Sequence, residues 1–133
     1  MLKLTRKTEY ALIALSHMQR FTPKNLISTK ELAKLYQLPV ELLAKTLQQL
    51  AQAEILEAVK GAYGGYKIKT PLEQINMTEF FEVLEGEVGL TDCHTNTDCS
   101  QKNLCNIKTP MQKINKKMRT FFDEISLKEV VGN

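Results

Sequence analysis

The sequence predicts a mainly α fold, a winged helix-turn-helix with a small β-hairpin wing, followed by a long C-terminal dimerisation helix. Three observations predict it. Two short helical patterns meet across a turn at Gln37-Leu38-Pro39, the shape of a helix-turn-helix. Two alternating stretches then flank Gly61-Ala62-Tyr63-Gly64-Gly65, a turn rich in residues that tolerate positive φ. Near the C-terminus, apolar residues recur at intervals of three and four.

Taken in order, Thr5 is placed to cap a first helix. Tyr10, Ala11, Ala14, Leu15, Met18 and Phe21 repeat at helical spacing, and Leu12 and Ile13 widen the stripe. A helix apolar over so much of its circumference is covered on more than one side. Thr22-Pro23 ends it, because Pro cannot continue a helix. Ser28-Thr29-Lys30-Glu31 reads as a capping box, with Ile27 and Leu32 as its hydrophobic staple. The second helix runs to about Tyr36. Pro39 suits the first turn of a third, marked by Val40, Leu43, Leu47 and Leu50. Residues 55–60 and 66–69 read as the wing strands, with Lys60, Lys67 and Lys69 disposed to meet phosphate. Thr70-Pro71-Leu72-Glu73 predicts a short helix capped by Thr70. Met77 opens the next helix, which stops at Gly86. Thr109-Pro110 starts the last one.

The apolar positions of that last helix are Met111, Ile114, Met118, Phe121 and Ile125, with Phe122 beside them. This heptad seam is a candidate dimer interface, or else it packs back on the chain's own first helix. The resulting division is a DNA-binding unit over 1–86, a cysteine-bearing loop over 87–108, and a dimerisation helix and tail over 109–133.

Charge is distributed unevenly behind a net value of +3. Residues 1–70 hold eleven Lys and Arg against five acids, while residues 71–92 hold six acids and no base. A basic first half suits a polyanion, and nucleic acid is the first candidate. No apolar run approaches the ~20 residues of a membrane span, and charged residues follow Met1-Leu2 at once, so neither a membrane nor a secretory signal is expected and the location is cytoplasmic. No nucleophile–base pair or phosphate-cradling G-K-[ST] loop supports an enzyme.

All three cysteines lie in one polar stretch, Cys93, Cys99 and Cys105, each separated from the next by five residues. Thr, Asn, Asp, Ser and Gln between them are loop formers. Thiolates are soft ligands for zinc, copper(I) or an iron–sulfur cluster. The odd count argues against a disulfide framework, and the spacing is not the paired C-x-x-C of common zinc sites. Metal or cluster binding and a redox thiol switch both remain open on spacing alone. Three thiols leave one coordination position for another group.

Leu4-Thr5-Arg6-Lys7-Thr8-Glu9-Tyr10-Ala11, the Gly61-x-x-Gly64-Gly65-Tyr66 wing and the three-cysteine stretch before a terminal helix together resemble the Rrf-type winged-helix transcriptional regulators, the family of the IscR-like and NsrR-like iron–sulfur regulators. The resemblance covers nearly the whole chain. It implies a homodimer that binds double-stranded DNA at a palindromic operator and senses cluster supply, iron, redox state or nitric oxide, most often as a repressor. It implies ligation by Cys93, Cys99 and Cys105. One branch has a His three residues after the last cysteine, where this chain has Lys108, a cation that makes a poor ligand. The other branch takes a carboxylate from the first helix of the partner subunit. Glu9 stands at that position, and a first-turn acid favoured by the helix dipole is its alternative reading. His94, Asp92 and Asp98 are further alternatives. Glu9 tilts the expectation from a [2Fe-2S] towards a [4Fe-4S] cluster. For DNA, the resemblance implies major-groove contacts by Glu41, Ala44 and Lys45, and a minor-groove contact by Lys60 at the place of a wing arginine. The rival expectations are a zinc- or thiol-based regulator on the same fold and, less favoured, an iron–sulfur electron carrier.

Overall fold

The computed structural model describes residues 3–90 and 104–132. The element order is α1 (Arg6–Phe21), α2 (Thr29–Tyr36), α3 (Val40–Gln52), β1 (Leu56–Val59), β2 (Gly65–Ile68), a 3-10 turn (Leu72–Gln74), α4 (Met77–Glu85), α5 (Lys108–Asp123) and α6 (Leu127–Val131). This is the winged-helix arrangement expected from the sequence, with helices around a two-stranded antiparallel hairpin.

Local chemistry sets most boundaries. The Thr5 hydroxyl accepts from the Thr8 N–H and caps α1. Ser28 Oγ accepts from the Glu31 N–H at 3.1 Å and caps α2. The Glu31 carboxylate, expected to reach back to the Ser28 backbone, instead accepts from the Ser28 hydroxyl at 3.2 Å. Gln37 takes a left-handed conformation (φ 55°) and ends α2, and Pro39 opens α3. Asn76 Oδ1 caps α4 through the Glu79 N–H at 2.8 Å.

Two further sequence expectations are corrected. Thr70 does not cap a helix, because its hydroxyl donates to the Glu54 carbonyl at 2.7 Å, and only a single 3-10 turn follows Pro71. Nor does the last helix continue through Ile125. Helix α5 stops at Asp123, and Ser126 and Glu129 form a reciprocal capping box that starts α6. The S-x-x-E signal was present in the sequence; the continuous apolar spacing through Ile125 masked it.

The core is built around α1, which buries Tyr10, Ala11, Ala14, Leu15 and Met18. It meets α3, α4, α6 and β2. From α3 come Leu43, Leu47 and Leu50, and from α4 the fully buried Phe80. Leu127 and Val131 of α6 close the same core. Backbone bonds from Met77 N–H to Ile125 C=O (2.9 Å) and from Leu127 N–H to Ile75 C=O (2.7 Å) hold that return in register. The C-terminal turn is thus part of the folding unit. Leu127→Ala is expected to destabilise the protein by about 2–5 kcal/mol, as for a fully buried leucine, measured by urea denaturation.

Candidate nucleic-acid interface and cysteine site

Helix α3 buries Leu43, Thr46, Leu47 and Leu50, which turns the opposite face outward. Glu41, Lys45, Gln48 and Gln52 are all exposed there, at spacings of four, three and four. Ala44 is half-buried beside them. Two of the sequence-selected groups, Glu41 and Lys45, therefore share one stripe. Gln48 and Gln52 extend it. Glutamine matches adenine N6 and N7 in the major groove, and the helical spacing was a signal from which both could have been read.

The wing is held beside this stripe by a contact that no local pattern announced. Ile27, just ahead of α2, pairs with Tyr66 of β2: Ile27 N–H donates to Tyr66 C=O at 3.0 Å and Tyr66 N–H to Ile27 C=O at 2.8 Å. Gly65 permits the approach, since a Cβ there would stand 2.6 Å from the Ile27 carbonyl oxygen. Between α2, α3 and the wing lies an open cleft of about 670 Å³ whose lining includes Lys30, Gln48, Gln52 and Lys60. Tyr63 at the wing tip is 96% exposed.

The wing lysines divide. Lys67 pairs with Glu57 directly across the hairpin and Lys69 with Glu54, each at 3.3 Å. Both pairs are substantially exposed, and such pairs contribute only about 0–1 kcal/mol. Phosphate can therefore displace the carboxylates at little cost. Lys60 lies exposed on the cleft rim.

Cys93 and Cys99, with Asp92, His94 and Asp98, lie outside the described residues. Cys105 is half-buried between the exposed Leu104 and the start of α5. Lys108 is the first residue of α5. Glu9 is exposed in the first turn of α1. Among the described residues, no three His, Cys, Asp or Glu side chains gather as a metal site.

The terminal seam splits in the folded chain. Helix α5 packs on α4, and Phe122 stands edge-on to Phe81 with ring centroids 5.1 Å apart. Phe122 and Ile125 pack against the chain's own core. Met111 and Met118 are half-buried. Ile114 and Phe121, two turns apart, remain 46% and 59% exposed.

A helix-turn-helix with an outward polar stripe, a wing and a basic cleft defines a DNA-binding regulator. The chain matches the Rrf2 family profile, described as an iron-dependent transcriptional regulator, over residues 4–133, and it belongs to that family. It is 28% identical to the HTH-type transcriptional regulator NsrR of Oceanobacillus iheyensis over 137 residues, covering 99% of this chain and 91% of the relative. It is 22% identical to the HTH-type transcriptional regulator IscR of Vibrio atlanticus, covering 98% and 75% of the two chains. The fold is also that of CymR, the global cysteine regulator of B. subtilis, with a TM-score of 0.73 at 21% identity over 98% of this chain and 97% of that one. These relatives are transcriptional regulators rather than enzymes. Among the described residues, no helix is long and apolar enough to cross a membrane.

Gly65→Ala is expected to break the Ile27–Tyr66 pairing and to cost about 1–3 kcal/mol, the usual scale of backbone strain. Urea denaturation gives the energy, and hydrogen exchange at the Tyr66 amide locates the lost pairing.

Proposed function

We propose that this Rrf2-family regulator is a homodimeric, cytoplasmic iron–sulfur sensor that represses transcription from a palindromic operator. The observation that carries the reading is the confinement of Cys93, Cys99 and Cys105 to one polar stretch joined directly to α5. The donor set fits the group: three soft thiolates and a carboxylate suit an iron–sulfur cluster. The family's description as iron-dependent supports it further.

In this reading the three thiolates hold the cluster, and Glu9 of the partner subunit completes the set. A [4Fe-4S] form is favoured over a [2Fe-2S] form, because Glu9 stands at the carboxylate position of one branch while Lys108 stands where the other has a histidine. When bound, the group supplies a redox- and nitric-oxide-sensitive link between the cysteine stretch and the partner's first helix. Ile114 and Phe121 supply the outward apolar contact between the terminal helices, with Met111 and Met118 at its edge. Phe122 and Ile125 stiffen that helix from the core side rather than meeting the partner.

On DNA, Lys45 reaches guanine or phosphate and Glu41 accepts from cytosine N4. Ala44 allows close approach of α3 to the groove floor, and Lys60 enters the minor groove. A two-fold pair of such heads reads half-sites about 34 Å apart, one helical turn of DNA. A coupling of about 1–3 kcal/mol between cluster and DNA sites already changes occupancy about 5–150-fold.

The second reading is a zinc- or thiol-based regulator. It is favoured by the fold shared with CymR and by the half-buried, free thiol of Cys105.

Anaerobic purification, an absorption spectrum and analysis for iron, sulfide and zinc separate the two. The expected result is a brown protein with labile sulfide, and Cys99→Ala should lose the colour and alter DNA affinity. A colourless protein with stoichiometric zinc, or one refractory to reconstitution, supports the second reading. Lys60→Ala should weaken binding to all sequences alike and lower the salt slope of log K by about one. Lys45→Ala should cost about 1–3 kcal/mol and relax preference at one base pair. Both are measured by fluorescence anisotropy across a salt series.

A further inference from the structure

Helix α5 carries an anomaly. Its most buried residue is a polar one, Asn115, which is 6% exposed, while the adjacent Ile114 is turned towards solvent. Asparagine is a weak helix former, and a buried amide is costly without a partner. The partner is a backbone group: Asn115 Oδ1 accepts from the Leu90 N–H at 2.8 Å.

One turn further on, Arg119 holds the same segment. Its Nη1 donates to the Val88 carbonyl at 3.4 Å and lies 2.8 Å from Glu82 Oε1 of α4. The Glu82 contact is an ion pair without an aligned hydrogen bond. The Arg119 carbonyl in turn accepts from the Thr78 hydroxyl at 3.3 Å. Arg119 is thereby fixed on α4, and residues 88–90 are clamped by two side chains of one helix.

Sequence places what this clamp serves. Leu90 stands three residues before Cys93, and Cys105 stands three residues before Lys108. The downstream end of the cysteine stretch is joined to α5 by the peptide chain. The upstream end is tied to the same helix by Asn115 and Arg119. The segment from Gly86 to Leu90 has no helix or strand of its own to hold it, so these side-chain bonds help to set where the stretch departs. Bringing both ends to one helix also lowers the entropy cost of closing three thiols on one object.

We propose that Asn115, supported by Arg119, is a positioning residue of the cysteine site, which ties the upstream end of the stretch to α5. The role rests on the iron–sulfur reading above. It makes α4 and α5 the elements that register a change at the thiols.

The test compares wild type with Asn115→Leu, which removes the acceptor at similar volume, and Asn115→Asp, which keeps an oxygen in the same place. Each protein is reconstituted anaerobically with iron and sulfide, and iron loss to a chelator in excess is timed. Hydrogen exchange at Leu90 and urea stability are measured on the metal-free proteins. Asn115→Leu should lose Leu90 protection and release iron about five- to tenfold faster, the scale of one hydrogen bond, with a fall in urea stability no larger than that same scale. Asn115→Asp should stay close to wild type in all three. If Asn115→Leu does not fold, Asn115→Ala takes its place. Equal iron release by wild type and the apolar variant overturns the positioning role alone, as does equal acceleration in the apolar and Asp variants. Wild-type protein that takes up no iron and sulfide overturns the iron–sulfur reading and this role together.

Discussion

The burial of α1 is the constraint on which the rest of the molecule depends. Its faces meet α3, α4, α6 and β2 together. Ala11 and Ala14, both fully buried, keep the helix slim enough for neighbours to approach from several directions. An ordinary surface helix carries one apolar stripe and one wet face; this one is closed around most of its length. Its position therefore bears on the seat of α3, the root of the wing and the seat of α4 at once. The Thr5 N–H even reaches the Glu85 carboxylate at the far end of α4, at 3.4 Å. That bond joins the start of α1 to the end of α4.

The outward face of α3 follows from that packing. Once Leu43, Leu47 and Leu50 are committed to the core, helical geometry leaves Glu41, Lys45, Gln48 and Gln52 no other direction than outward. The wing is set by two backbone hydrogen bonds between Ile27 and Tyr66, which any side chain at Gly65 would obstruct. Pairing of Lys67 with Glu57 and of Lys69 with Glu54 sets a carboxylate beside each of two wing cations. A count of basic residues overstates the positive surface, because counting ignores which lysines already face carboxylates.

The terminal helix does two things. Its inner side stacks Phe122 on Phe81 and carries Asn115 and Arg119 against residues 88–90. Its outer side leaves Ile114 and Phe121 open. The helix thus holds residues 88–90 on one side and leaves two large apolar side chains uncovered on the other. The short α6 then turns back into the core, so this helix is anchored at its far end instead of projecting freely.

The sequence by itself determined the winged-helix class, the caps at Thr5 and Ser28, the hairpin, the stop at Gly86 and the clustering of the thiols. These are local: a capping hydroxyl, a helical period or a Gly-rich turn acts within a few residues, so its effect is written beside it. The outward disposition of Glu41 and Lys45 was legible for the same reason, since it is the complement of an apolar stripe. Other features were decided only by tertiary structure. The Ile27–Tyr66 pairing, the diversion of Thr70 to Glu54, the break between α5 and α6, the inward turn of Phe122 and Ile125, and the bond from Asn115 to Leu90 all join groups distant in the chain or set one local preference against another. A periodic seam from Met111 to Ile125 cannot say which of its residues face the chain's own α4. Burial is a property of the assembled core, and that core exists only when α1, α4 and α6 have met.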